Sequence, residues 1–106
     1  MSIKKNEWVI LEDENGEAKR YNLASMQGLT ISLPQDAWGT GVSLEDVFYM
    51  PRKRRIIIHT FSVWENPRTH GCYGDGYYLA DKDTIARLAR LTGNEIVMSL
   101  VEEGDV

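Results

Sequence analysis

Apolar and polar residues alternate in short runs through most of this chain, the period of β-strands, and one stretch near the C-terminus changes to the period of a helix. The first pair of runs flanks Asn15-Gly16 in "EWVILEDENGEAKRYNL". That dipeptide predicts a two-residue hairpin, because a type I′ turn needs positive φ at both central positions and Asn and Gly adopt it most easily. Centred there, Glu12 faces Lys19, Ile10 faces Tyr21 and Trp8 faces Leu23, which puts Trp8, Ile10, Tyr21 and Leu23 on one face.

"GLTISL" reads as a short strand stopped by Pro34, and "PQDAWGTGVS" as a turn-rich connection. Ser43 with Asp46 three residues later fits a capped helix ending before Pro51. A strand over 47–50, a turn at "PRKR" and a returning strand over 55–64 fit better, because Val-Phe-Tyr favours strands and Pro51 suits the start of a turn. In the returning strand Ile56, Ile58, Thr60, Ser62 and Trp64 share one face, and Ile57, His59, Phe61 and Val63 share the other. Both faces are apolar, so this strand is expected at the centre of a sheet with cover on both sides.

"DKDTIARLARLTG" supplies one cover. Asp81 or Asp83 caps a helix whose Ile85, Leu88, Ala89 and Thr92 recur at helical spacing, and Gly93 ends it. "NEIVMSLVEE" reads as a last strand with Ile96, Met98 and Leu100 inward. The other face lacks a second helix to cover it, which leaves a curled sheet or a second copy of the chain, a homodimer. The expected architecture is α+β: an antiparallel β-sheet of about six or seven strands with one C-terminal α-helix packed on one face.

With 106 residues, 42% of them apolar and 26% charged, the chain has the size and composition of one domain spanning 1–106. Its four-residue apolar run at Trp8–Leu11 is too short for a signal peptide. No run approaches the roughly 18 apolar residues of a membrane helix. A cytoplasmic protein with no membrane role is the expectation. One cysteine excludes an internal disulfide framework and a multi-cysteine zinc knuckle. Net charge is −4, yet residues 52–90 hold eight Lys or Arg against four acids, so charge is uneven along the chain.

The chemistry-bearing residues concentrate in "HTFSVWENPRTHGCYGDGYYLAD", residues 59–81. About a dozen residues separate Trp64 from Tyr77, a length often given to functional loops. His70 and Cys72, oriented by Asp75 or Glu65, have the residue types of a thiol nucleophile and its base. Nothing local sets Cys72 at a helix N-terminus where a thiolate is stabilised, so the thiol reads as incidental. His59, His70, Cys72 and Asp75 include zinc-ligand types, but their spacing matches no common zinc pattern, and His59 reads as a hydrogen-bonded strand histidine. "GCYGDG" has the wrong glycine spacing for a dinucleotide loop and precedes a strand instead of a helix, so its glycines read as turn formers.

The aromatic set carries more weight. Trp64, Tyr73, Tyr77 and Tyr78 flank Arg68, a composition enriched at protein interfaces, although some of these rings also serve to close a core. Trp38, among turn residues, is a weaker candidate of the same kind. Arg52, Lys53, Arg54 and Arg55 form a basic turn suited to phosphate, opposed by the acidic balance elsewhere. Arg87 and Arg90 fall late in the helix and complement its dipole. The sequence points to a non-catalytic module with neither cofactor nor metal, which binds a protein partner or itself through Trp64, Arg68, Tyr73, Tyr77 and Tyr78. The alternatives are a nucleic-acid binder using Arg52–Arg55 and a thiol enzyme using Cys72 and His70.

Overall fold

A computed structural model of the chain describes residues 7–31, 33–34, 37–39, 41–64 and 72–104, with side chains at 62–64 and 72–75 outside the description. The fold is α+β: six strands in two antiparallel sheets, plus two short α-helices. Strands β1 (Trp8–Glu12) and β2 (Ala18–Asn22) form a hairpin. Strands β3 (Gln27–Leu29), β4 (Val42–Met50), β5 (Arg55–Trp64) and β6 (Cys72–Leu79) form a second sheet in that order, followed by α1 (Lys82–Thr92) and α2 (Glu95–Ser99). The β4–turn–β5 reading is the one the chain adopts, with Met50 opposite Arg55 and Val47 opposite Ile58. The register shifts between Leu44 and Asp46, a bulge at Glu45.

Strand β5 lies inside the four-stranded sheet, between β4 and β6, and its Ile56, Ile57 and Ile58 are all fully buried. Ile56 and Ile58 face one cluster with Val47, Trp38, Ala80, Val97 and the α1 residues Ile85, Leu88 and Ala89. Ile57 faces a second cluster with Tyr21, Leu23 and Met50, edged by Val9, Leu11 and Phe48. The second cover is therefore the chain's own β1–β2 hairpin. At Ile57 this cover comes from within the chain.

The hairpin departs from the expected register by one residue. Trp8 lies opposite Asn22 and Glu12 opposite Ala18, and among the described non-glycine residues only Arg54 has positive φ, so Asn15 does not form a type I′ turn. The loop is instead a three-residue connection. Gly16 N–H donates to Asp13 O at 3.0 Å, Gly16 takes φ 78°, and Asp13 N–H donates to Glu17 O at 3.0 Å, a type I turn followed by a left-handed glycine. Asp13 Oδ1 reinforces it by accepting from the backbone N–H of Asn15 and Glu17 at 2.9 and 3.0 Å. A one-residue slip exchanges the faces of β1 against β2. Val9 and Leu11 join Tyr21 and Leu23 at the core, and Trp8 and Ile10 turn to solvent, 52% and 74% exposed.

Helix α1 begins at Asp81, whose side chain accepts from Thr84 N–H at 2.8 Å, and ends at left-handed Gly93 (φ 65°). The expected last strand is helix α2. Asn94 caps it, its Oδ1 accepting from Ile96 and Val97 N–H at 2.9 and 3.2 Å. Only Gly93 and Asn94 separate the two helices. Val97 is buried in the same cluster as the α1 residues Ile85, Leu88 and Ala89. Two short helices, in place of one, thus contribute to this cluster. None of the helices among the described residues is long and apolar enough to cross a membrane.

Candidate functional site

The four basic residues of the β4–β5 turn divide into two pairs. Arg55 is bound to the hairpin loop: Nη1 lies 3.1 Å from Glu14 Oε1 and Nη2 3.2 Å from Oε2, a two-pronged contact. The Glu14 carboxyl is held below its usual range by its own backbone N–H and then by Arg55. Arg54 takes the left-handed conformation (φ 51°) and its guanidinium donates to Ser99 O, at the end of α2, at 2.8 Å. These two side chains tie the turn to the hairpin on one side and the helices on the other. Arg52 and Lys53 are left exposed, with Lys53 Nζ 5.6 Å from the centre of the Tyr21 ring.

Those two cations border a groove of about 620 Å³ between the hairpin and the turn. Trp8, Tyr21 and Arg20 form its hairpin wall, Met26 and Met50 its apolar lining, and Pro51, Arg52 and Lys53 its turn wall. The Arg20 guanidinium sits 4.9 Å from the centre of the Trp8 ring, a cation–π contact at an exposed site. Among the described residues, Arg20, Arg52 and Lys53 have no carboxylate partner, and no Asp or Glu lines the groove. The groove follows from the hairpin register, because the slip that sends Val9 and Leu11 inward brings Trp8 onto the outer face that Arg20 already occupies.

The aromatic candidates of β6 are held differently. Tyr78 is half-buried and its Oη accepts from Trp38 Nε1–H at 3.0 Å, while the Arg87 guanidinium lies 4.4 Å over the Trp38 ring. Burial raises the Tyr78 pKa above its ordinary value, against a smaller opposing effect of the Trp38 N–H. Trp38 is itself buried. Arg87 lies at the middle of α1 and packs on this ring, so of the two arginines only Arg90 falls in the last turn of the helix. Tyr77 stacks on His59, ring centroids 4.2 Å apart and planes 6° from parallel, and leans on Phe48. Trp64 and Tyr73 are described as backbone only, opposite Cys72 and Val63 respectively, and Arg68 lies outside the described residues.

His59 and Asp46 face each other across β4 and β5, with His59 Nδ1 2.8 Å from Asp46 Oδ2. The imidazole side chain is only 13% exposed, so the carboxylate fixes its tautomer and the Tyr77 ring covers one of its faces. This is a hydrogen-bonded strand histidine. Cys72 pairs with Trp64, five residues along β6 from Tyr77, the partner of His59. At about 3.3 Å per residue the two positions are some 16 Å apart along the ladder, so β6 does not bring Cys72 beside His59. Glu65 and His70 lie outside the described residues, as do the side chains of Cys72 and Asp75. Within the described residues no three His, Cys, Asp or Glu side chains gather as metal ligands.

Sequence reasoning missed the groove because its walls come from three segments, residues 8, 20–26 and 50–53, and none carries a local motif. The available signal was the hairpin loop. With three residues in the turn, Trp8 and Arg20 fall on the solvent face. No known family model matches the chain, and neither a curated protein nor a solved structure is significantly similar to it.

Proposed function

We propose that the protein is a non-catalytic interaction module that engages a protein partner, with its recognition surface where the outer face of the β1–β2 hairpin meets the β4–β5 turn. The observation that carries this reading is Trp8: a large aromatic, half exposed, capped by Arg20 and placed at the wall of a groove lined by methionines. Trp and Arg dominate binding energy at protein interfaces, and Met side chains adapt their shape to an incoming residue. Ile10, 74% exposed on the same face, extends the apolar surface beyond the groove.

The Trp64–Cys72 and Val63–Tyr73 backbone pairs lie at the end of β5 away from the turn, about 30 Å along the strand. Tyr77 and Tyr78 lie within β6 opposite His59 and Ile58, the first stacked on His59 and the second bonded to Trp38. The groove is the better recognition surface because its cations and its Trp are exposed together.

Selection of a random-peptide display library on the wild-type protein, with counter-selection on Trp8→Ala/Arg20→Ala, tests the reading. Enriched peptides should bind wild type and lose at least about tenfold in affinity on the variant. Enrichment of peptides that bind both proteins equally, or none at all, defeats it.

A further inference from the structure

We infer that the groove takes an acidic segment of the partner: a short extended peptide with an aliphatic or aromatic side chain flanked by Asp or Glu. This deepens the proposed reading and rests on it. The first ground is charge. Arg20, Arg52 and Lys53 converge on one groove without a carboxylate among its lining residues, in a chain whose net charge is −4. Glu7, the acid next to Trp8 in sequence, is not among the groove's lining residues. The groove is therefore an electropositive site on an acidic protein, which attracts carboxylates and disfavours basic partners.

The second ground is the shape and lining. A volume of about 620 Å³ falls in the range of small-ligand clefts, about 300–1,000 Å³. That accommodates a few residues of an extended chain, not a globular face. Met26, Met50 and Pro51 give the interior an apolar surface for one side chain, and the cations stand on its walls. A nucleic-acid strand fits less well. A base stacking on Trp8 competes with the Arg20 guanidinium already near that ring, and the protein's overall negative charge repels a long polyanion.

The test uses fluorescence anisotropy with three labelled peptide pools. Each carries Leu, Ile or Phe at its centre, with flanks drawn from Asp and Glu, from Ser and Gly, or from Lys and Arg. A labelled oligothymidylate of similar length is the fourth probe. The acidic pool should bind at least about tenfold tighter than the neutral pool, and the basic pool weakest. Added salt should narrow the difference. Arg52→Glu/Lys53→Glu should abolish the preference, and Arg52→Gln/Lys53→Gln should reduce it. Both residues are exposed, so the fold is preserved and unchanged far-UV circular dichroism verifies it.

Equal binding of acidic and neutral pools overturns the inference. So does a preference that survives charge reversal, or oligothymidylate binding tighter than the acidic pool. If the neutral pool binds as well as the acidic one and Trp8→Ala weakens both, the interaction reading stands without the acidic partner. If no pool binds, both fall.

Discussion

Truncating Leu23 and Ile10 to alanine should give opposite results, because the hairpin register puts one in the core and the other in solvent. Leu23 is 3% exposed and packs in the cluster with Tyr21, Met50 and Ile57. Its truncation removes three carbons from a filled site, about 2.5 kcal/mol at roughly 0.8 per methylene, within the range of about 2–5 measured for such changes. Ile10 is 74% exposed, so about a quarter of its side chain has burial to lose, worth about 0.5 kcal/mol. For a domain of this size about 1 kcal/mol corresponds to some 4–8 °C in melting temperature. Leu23→Ala should therefore melt about 10–20 °C lower, and Ile10→Ala within about 4 °C of wild type. Thermal and urea unfolding followed by circular dichroism read both. A two-residue turn also puts Leu23 inward but adds Ile10 beside it. Comparable losses at the two positions would refute the three-residue loop, and with it the outward placement of Trp8.

Tyr78→Phe leaves the Trp38 indole N–H without its acceptor and should cost about 1–3 kcal/mol in urea unfolding; a neutral result would show that the bond is not made. The Tyr78 pKa is raised by burial above its ordinary 10.0, so the folded state keeps a proton that the unfolded state releases. Stability should fall as pH rises from about 10 toward the folded-state value, and Tyr78→Phe should flatten this alkaline dependence in a pH series. Asp13 and Asp81 are held below their ordinary 3.8, the first chiefly by the Glu17 backbone N–H and the second by that of Thr84. Their contribution is complete above that value and disappears as pH falls through the folded-state values. Asp81→Asn/Asp13→Asn should therefore show a shallower acid unfolding curve below about pH 4 than wild type. Asn94→Ala removes the acceptor for two backbone N–H groups at the start of α2 and should cost about 1 kcal/mol, read by urea unfolding.

The parts of the fold legible in the sequence are those where a local pattern and the tertiary fold agree. The double-sided apolar run at Ile56–Ile58 marks a central strand, and Asp81 and Gly93 bracket α1 because cap geometry depends on neighbouring residues alone. The hairpin register was not legible. Asn15-Gly16 serves a type I′ turn and a type I turn with a left-handed glycine equally, and β1 is apolar at Trp8, Val9, Ile10 and Leu11 alike, so alternation does not choose its inward face. Tertiary packing on Ile57 chooses it. In the last segment Ile96, Met98 and Leu100 alternate like a strand, but the Asn94 cap and the burial of Val97 with the α1 cluster outweigh the alternation. The basic turn was visible as a cluster. Its division into two structural arginines and two exposed cations depends on Glu14 and Ser99, each about 40 or more residues away in sequence.

The most direct test of the account is a nuclear Overhauser experiment on methyl- and aromatic-labelled protein, because the groove exists only if the hairpin covers Ile57 with Trp8 turned outward. Cross-peaks from Leu23 and Leu11 methyls to Ile57 methyls, with the Trp8 indole showing contacts to Arg20 and none to Ile57, are the predicted result. Cross-peaks from Trp8 or Ile10 to Ile57, or the absence of any hairpin contact with that face of the sheet, would contradict it.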